Sequence, residues 1–304
     1  MVAAVARLAI TAAFLVEFLS EGRYRVLSRL TDVPRRRRLT VAGADIVLVS
    51  GPRGSAPLVL VHGFAPQGNR DDRVLAAASL LARTGFAVAV PTIPGLTQGR
   101  LRPHDAEPVI AALDLRPGPV TLVSVSVGAG PAFLAAADPR VSGRVATVVV
   151  LGGYASAREL VRYFLTGEYD YAGRRGHTAH DPDMVRAFVA ANADLLGPSL
   201  RRGLDAGDRQ AMESALQALA PLLTALSPEQ VAARIPGHLL LIHGRGDRAV
   251  PYTETLRLAA ARPRDTAVVL VGMIGHVEGT APSWHELRDL FALWGVTYTM
   301  IAGR

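Results

Sequence analysis

The chain has 304 residues, of which 50% are hydrophobic and 19% are charged, so it can bury a sizeable core and is not a disordered chain. It has no cysteine, which excludes disulfides, thiolate metal sites and a cysteine nucleophile. The formal net charge is +7, but all 33 basic residues are arginine and the chain beyond residue 38 is close to neutral, so we do not expect nucleic acid as a partner.

The first 38 residues carry much of the charge, with eight arginines against three acidic residues and a local balance of +5. Leu8 to Val16 is their longest run without a charge, about half of the roughly 20 apolar residues that span a bilayer. No cleavage pattern of a signal peptide follows it. Apolar residues between Leu8 and Leu30 fall near helical spacing, which predicts either an amphipathic helix on a membrane surface or a helix packed on its own domain or on a partner. We expect a cytoplasmic protein, with peripheral membrane contact through residues 1–38 as the alternative.

After the arginine run, the pattern changes to strands and helices. Two β-rich runs joined by Ala42 and Gly43 predict an antiparallel hairpin. Continuous apolar runs predict strands buried on both faces, at 58–61, 87–90, 120–123, 146–151, 238–242 and 267–271. Helical patterns lie between them, at 72–83, 106–113, 127–137 and 252–261. This alternation predicts an α/β fold with a doubly wound, mostly parallel sheet.

One interval is too long for a simple crossover. About 85 residues separate Leu151 from His238. Helical patterns occur in it at 157–165, 184–195, 209–223 and 228–234. We therefore predict an inserted helical cap at 156–235, a core formed by 39–155 and 236–304, and an N-terminal amphipathic helix with a basic segment at 1–38.

The strongest local signal is the sequence from Ser124 to Gly128, Ser-Val-Ser-Val-Gly, directly after the predicted strand at 120–123. A nucleophile elbow places its serine on a tight turn between strand and helix, which requires small residues two positions before and two positions after it. Ser126 meets this requirement with Ser124 and Gly128, whereas Ser124 would have Leu122 in the first position. Serine replaces the usual glycine at 124, so a serine-rich turn is the alternative interpretation.

Two further signals follow predicted strands. His62-Gly63-Phe64 comes after 58–61, where the backbone N–H groups of Phe64 and Val127 can together bind a developing oxyanion. Asp247 lies in a glycine-rich loop after 238–242, where a carboxylate can hold and stabilise an imidazole. The ordinary alternatives are a strand-ending turn and a turn-forming aspartate.

The last signal is His276, five residues after the predicted strand at 267–271. A lone histidine in a loop is otherwise structural or exposed. The order of the signals along the chain is nevertheless informative, since serine, aspartate and histidine each follow the carboxyl end of a predicted strand, where open α/β sheets place their sites.

On these residues the chain resembles the α/β-hydrolase superfamily, from about Leu39 to Trp294. The resemblance implies Ser126 as nucleophile, His276 as general base and acid, and Asp247 as the residue that orients His276. It also implies the N–H groups of Phe64 and Val127 as oxyanion donors, and a cap in the long insertion.

The function that this resemblance implies is a cofactor-free serine hydrolase, which cleaves a carboxylic ester of a small molecule with a hydrophobic portion through an acyl-enzyme. A serine nucleophile argues against the dehalogenase and epoxide-hydrolase branches, which use an aspartate. The same triad serves thioester, amide and C–C hydrolysis, and a non-catalytic scaffold or interaction protein is the alternative from another class.

A possible metal cluster is the remaining pattern. His177, His180, Asp181 and Asp183 lie close together in the insertion, but their spacing fits no standard zinc site. We expect a polar loop there and no metal.

Overall fold

The computed structural model describes residues 2–52, 56–272 and 284–303. The strands in these ranges are β1 (Arg35–Val41), β2 (Ala44–Ser50), β3 (Ala56–Val61), β4 (Phe86–Pro91), β5 (Val120–Val125), β6 (Val145–Leu151), β7 (Glu168–Tyr171), β8 (Arg174–His177), β9 (His238–Gly244) and β10 (Thr266–Val271). The α-helices are α1 (Val2–Leu19), α2 (Val26–Leu30), α3 (Asp72–Arg83), α4 (Pro94–Thr97), α5 (Glu107–Leu113), α6 (Ala129–Ala136), α7 (Ala157–Thr166), α8 (Pro182–Ala191), α9 (Pro198–Asp205), α10 (Arg209–Ala218), α11 (Ala220–Ala225), α12 (Thr253–Ala261) and α13 (Trp284–Ala302).

Eight of the strands form one sheet in the order β1-β2-β4-β3-β5-β6-β9-β10. β2 pairs antiparallel with both β1 and β4, and the other neighbours pair in parallel. The predicted doubly wound, mostly parallel sheet is confirmed. Because β5 lies between β3 and β6, the loops that follow these three strands meet at one edge near the middle of the sheet.

The β1–β2 hairpin closes through Ala42 and Gly43, whose φ angles are 49° and 81°. Two successive residues with positive φ form the two-residue turn that suits the twist of a hairpin. One prediction was wrong here. The arginine run at 35–38 was assigned to a separate basic segment, but these residues lie in β1 and pair with residues 47–50 of β2. Their exposed charges occupy the edge of the sheet, where they oppose pairing with another chain.

An apolar core covers each face of the sheet. Side chains alternate between the two faces along each strand, so that in β5 Leu122 belongs to one core and Val123 to the other. The first core contains α5, α6 and α12, and the second contains α1, α2, α3 and α13.

The N-terminal helix packs on its own domain. Phe14 and Leu15 of α1 are buried in the second core, and α1 contacts α13, α2 and α3. The buried carboxylate of Glu17 accepts the N–H of Ser28 at 2.8 Å and also its hydroxyl, which ties α1 to α2. Of the two interpretations of this segment, the structure therefore shows packing on the domain.

The insertion at 156–235 is mainly helical, and it differs from the prediction at four places. The residues between the predicted helices at 157–165 and 184–195, for which no element was predicted, form the antiparallel hairpin β7–β8. The predicted helix at 209–223 is two helices, α10 and α11, which meet at Leu219 just before Pro221. The structure also has α9, which the sequence pattern did not predict, and the pattern at 228–234 forms two short 3₁₀ turns.

Candidate active site

Ser126 lies at the turn between β5 and α6. It is the first residue of a 3₁₀ turn at Ser126–Gly128, and its φ is 53°. A non-glycine residue rarely adopts such a positive φ, because this conformation is strained. Residues strained in this way concentrate at functional sites. Its side chain is partly exposed at the carboxyl edge of a central strand. This is the conformation of a nucleophile elbow, in which the serine points out of the sheet.

Two glycines allow the close approach of chain segments at this turn. A Cβ on Gly128 would lie 2.5 Å from the carbonyl oxygen of His62, and one on Gly63 would lie 3.2 Å from the Cβ of Ser126. The loop after β3 therefore lies directly against the serine turn. On the other side of the serine, Ser124 is fully buried and its hydroxyl has no hydrogen-bond partner among the described residues.

His62 holds this loop in place. Its Nε2 accepts the N–H of Ile93 at 3.1 Å, so its proton lies on Nδ1, which donates to the Gly63 carbonyl at 2.7 Å. Burial lowers the pKa of His62 against smaller raising effects of the Gly63 carbonyl and of Asp71. The ring is therefore neutral at pH 7 and acts as a fixed link between the loops after β3 and β4.

Phe64, the first candidate oxyanion donor, follows Gly63 in this loop. The residue is 58% exposed, and no acceptor for its N–H occurs in the part of the chain that the structure describes. Val127, the second candidate, lies in the first 3₁₀ turn before α6, where backbone N–H groups lack helical acceptors. The contact between Gly63 and Ser126 brings both candidates to the serine turn.

Asp247 lies three residues after β9, with its side chain 29% exposed. Its Oδ1 accepts the N–H groups of Ala249 at 2.8 Å and Val250 at 3.1 Å, and its Oδ2 lies 3.5 Å from His243 Nε2. Burial raises the pKa of Asp247, but the hydrogen bonds from His243 and the two N–H groups outweigh it and hold the pKa below its usual range. The carboxylate is ionised at neutral pH, as an imidazole-orienting group requires.

Two neighbours, neither of which was predicted to have a role, shape the position of Asp247. His243 is buried, with Nδ1 against the Thr255 hydroxyl at 2.7 Å and Nε2 against the Val250 carbonyl at 2.9 Å. Gly152, with a φ of 62°, leaves room for the carboxylate, because a Cβ there would lie 2.9 Å from Oδ2. In the sequence, His243 and Gly152 are marked only by their position directly after a predicted strand.

His276, the predicted base, lies outside the described residues. β10, the strand before it, is the parallel neighbour of β9, the strand before Asp247. The structure thus brings Ser126, Phe64 and Val127 together, and it places Asp247 at the same edge of the sheet.

A cavity of about 590 Å³ opens beside Ser126. Its described lining includes the loop after β3, Ala249 near Asp247, and residues of α1, α3 and α13. None of these lining residues lies in the insertion, which was predicted to be a cap. That function of the insertion stays a prediction.

The insertion instead contacts the loops around the site. The Tyr163 hydroxyl donates to the Arg248 carbonyl at 2.9 Å, next to Asp247. Asn192 accepts the N–H of Leu101 at 2.9 Å in the loop after β4. At the start of the insertion, the buried Glu254 of α12 accepts the N–H of Ser156 at 2.8 Å. Burial raises the pKa of Glu254 in spite of this bond.

The histidines and aspartates of the insertion have structural contacts. Asp181 caps α8 by accepting the N–H of Asp183 at 2.9 Å. The ring of His180 packs edge-on against Tyr163, with 4.7 Å between centroids. Across the ranges that the structure describes, no group of three or more His, Cys, Asp or Glu side chains is placed to hold a metal ion. In the same ranges, no helix has the length and apolar character needed to cross a membrane.

Comparison with solved structures agrees with this topology. The chain is 14% identical to Est1E from Butyrivibrio proteoclasticus, with a TM-score of 0.51, covering 88% of this chain and 98% of that one. It is 14% identical to the acylaminoacyl peptidase of Pyrococcus horikoshii, with a TM-score of 0.53 and coverage of 88% and 42%. It is 18% identical to a puromycin-hydrolyzing peptidase of Mycobacterium tuberculosis, with a TM-score of 0.52 and coverage of 92% and 39%. At these identities the similarity shows the fold alone.

Comparison of sequences identifies the family. No curated protein matches this chain. The model of the alpha/beta hydrolase family matches residues 58–293, which include β3, the serine turn, the insertion and Asp247. The chain therefore belongs to the alpha/beta hydrolase family.

Proposed function

We propose that the protein is a serine hydrolase that cleaves a carboxylic ester through an acyl-enzyme. The observation that carries the proposal is the conformation of Ser126, with a φ of 53° at the start of a turn that opens on an apolar cavity. Membership of the alpha/beta hydrolase family supports hydrolase activity in general. The ester and the serine nucleophile are inferred from the residues of the site.

In the first half of the proposed reaction, Ser126 Oγ attacks the carbonyl carbon of the ester while His276 accepts its proton. The N–H groups of Phe64 and Val127 stabilise the negative charge on the carbonyl oxygen. The bond to the leaving oxygen then breaks, and His276 gives its proton to the departing alcohol. The ionised Asp247 stabilises the charge on the imidazole.

In the second half, a water molecule attacks the acyl-enzyme. His276 accepts a proton from the water and returns it to Ser126 Oγ when the carboxylic acid leaves. Water is consumed, and one acid and one alcohol are released. No cofactor takes part in any step of this scheme.

Amide hydrolysis is a second candidate, because two of the similar structures are peptidases by name. The same nucleophile and base would serve, with an amine in place of the alcohol. Ester and amide hydrolysis differ in the leaving group. The two can therefore be compared with substrates that share one acyl group and carry either an alcohol or an amine as the leaving group.

The test is pre-steady-state and steady-state hydrolysis of p-nitrophenyl butyrate and of butyryl p-nitroanilide. We expect the ester to give a burst of about one p-nitrophenol per chain, the mark of an accumulating acyl-enzyme, and Ser126→Ala to lower turnover by at least about 10³. Faster hydrolysis of the anilide would favour the amide. Hydrolysis of neither by folded wild-type protein would favour the non-catalytic scaffold.

A further inference from the structure

The cavity beside Ser126 lies on the face of the sheet that α1, α3 and α13 cover. Two rows of strand side chains form its floor. The row next to the serine holds, in register, Val125, Leu151 and Ile242. The row below it holds Leu60, Val123 and Val149. Since Val123 precedes Ser126 by three residues in an extended strand, the cavity reaches about 10 Å below the serine.

Nearly all of the lining is apolar. Besides Ser126, the described lining residues with polar side chains are His62, Arg73 and Thr297. Both ring nitrogens of His62 are hydrogen-bonded to backbone groups. The Arg73 side chain is 80% exposed and pairs with Asp71 at 2.8 Å. A charged or strongly polar group placed deep in this cavity would lose its hydration without a partner among these residues, which is costly.

Two helices from the ends of the chain close the cavity. Phe14 and Phe18 of α1 are stacked, with 5.7 Å between ring centroids, and they face the same space as Val296 and Met300 of α13. The contact between Glu17 and Ser28 fixes α1 from its outer side. The family match begins at residue 58, so α1 lies outside the matched region.

The depth of the cavity sets the length of the group that it can hold. The volume of about 590 Å³ lies within the usual range for small-molecule pockets. An extended carbon chain advances roughly 1.3 Å per bond, given single bonds of about 1.5 Å, so a depth of about 10 Å takes about eight carbons.

We propose that this cavity binds the acyl group of the substrate, that the group is apolar and extends about eight carbons from the carbonyl, and that α1 supplies one wall of its site. This inference rests on the proposed function, because the carbonyl carbon of the acyl group is the atom that Ser126 attacks. The length of the acyl chain is then selected by the walls that α1 and α13 form and by the depth of the cavity.

The first test compares p-nitrophenyl esters from acetyl to dodecanoyl. For the wild type we expect kcat/KM to rise by up to about fourfold per methylene as far as octanoyl. Ala77→Phe on α3 fills the cavity, whereas Ala76→Phe places the same side chain on the exposed side of the same helix. We expect the ratio of octanoyl to acetyl kcat/KM to fall at least tenfold in Ala77→Phe and to stay within twofold of wild type in Ala76→Phe.

Two additions keep the test decisive. If thermal unfolding shows that Ala77→Phe is not folded, Ala77→Leu and Ala76→Leu replace the two phenylalanine variants. We then expect the ratio of octanoyl to acetyl kcat/KM to fall at least threefold in Ala77→Leu and not in Ala76→Leu. The second addition is calorimetric titration of octanoate into Ser126→Ala, for which we expect one site that Ala77→Phe removes. Binding without turnover in wild type would refute the proposed function and support the cavity. Turnover with a chain-length profile that Ala77→Phe leaves unchanged would refute the cavity alone.

Discussion

The pKa of Asp247 predicts how activity depends on pH. The hydrogen bonds that it accepts hold its pKa below the usual range in spite of burial, so the carboxylate stays ionised throughout the range in which a histidine titrates. The inflection at higher pH then belongs to His276, which must be neutral to accept the serine proton. We expect kcat/KM for p-nitrophenyl butyrate to fall on acidification through an apparent pKa of about 6 to 7.5. A flat profile between about pH 5 and 8 would show that His276 is not the base.

Several candidate site residues can be proposed from the sequence because the structural requirement at their positions is local. The elbow requires a small residue two positions after the serine, and the 2.5 Å from a Cβ on Gly128 to the His62 carbonyl is the physical reason. The support of Asp247 could not be predicted in this way. His243 contacts Asp247 directly and is itself held by Val250 and Thr255, which only the folded loop and α12 bring to it.

Among the elements, the strands of the large sheet were the most predictable. The central strands are mostly apolar at consecutive positions because both of their faces are buried. The hairpin β7–β8 was missed because its residues are mostly polar and partly exposed. Its two strands are held by their backbone pairing and not by the burial of apolar side chains, so no apolar pattern marks them in the sequence. α9 was missed because it buries only Leu204.

The short helix α2 gives a direct test of the N-terminal packing. Leu27 is 1% exposed in the second core, whereas Leu30 of the same helix is 73% exposed. We expect Leu27→Ala to lower the free energy of unfolding by about 2–5 kcal/mol, through lost burial and a cavity, and Leu30→Ala to change it by less than about 0.5 kcal/mol. Urea denaturation of both variants measures the difference. Equal effects would mean that α2 is not part of the core.

At the scale of the whole molecule, the cavity is the feature that could least be predicted from the sequence. Its walls come from residues 14–18, 60–65, 73–81 and 293–300, which are distant in the sequence and meet only when the sheet and the helices pack. Helical spacing suggested that α1 faces a core, but it could not indicate that the same face borders Ser126. The insertion was the more obvious candidate for a pocket wall because of its length.

The outer surface of the N-terminal segment leads to a prediction about membranes. Val5, Leu8 and Val16 of α1 are exposed, and Arg7, Arg23, Arg25 and Arg29 lie in the same segment. An apolar face with arginines around it suits an anionic lipid surface. In co-sedimentation, we expect replacement of the four arginines by glutamine to weaken binding to anionic vesicles at least about tenfold, with no effect on neutral vesicles. Equal binding by both forms, or none by wild type, would exclude this contact.

The central claim is that Ser126 is the nucleophile, and covalent labelling with a fluorophosphonate tests it most directly. We expect wild type to gain one probe, located by peptide mass spectrometry on Ser126, and Ser126→Ala to gain none. Ser124→Gly is the matched control, because it restores the usual glycine of the elbow and should label at least as fast as wild type. His276→Ala should label slower by orders of magnitude. Labelling that persists in Ser126→Ala and disappears in Ser124→Ala would contradict the assignment, and no labelling of folded wild type would contradict the function.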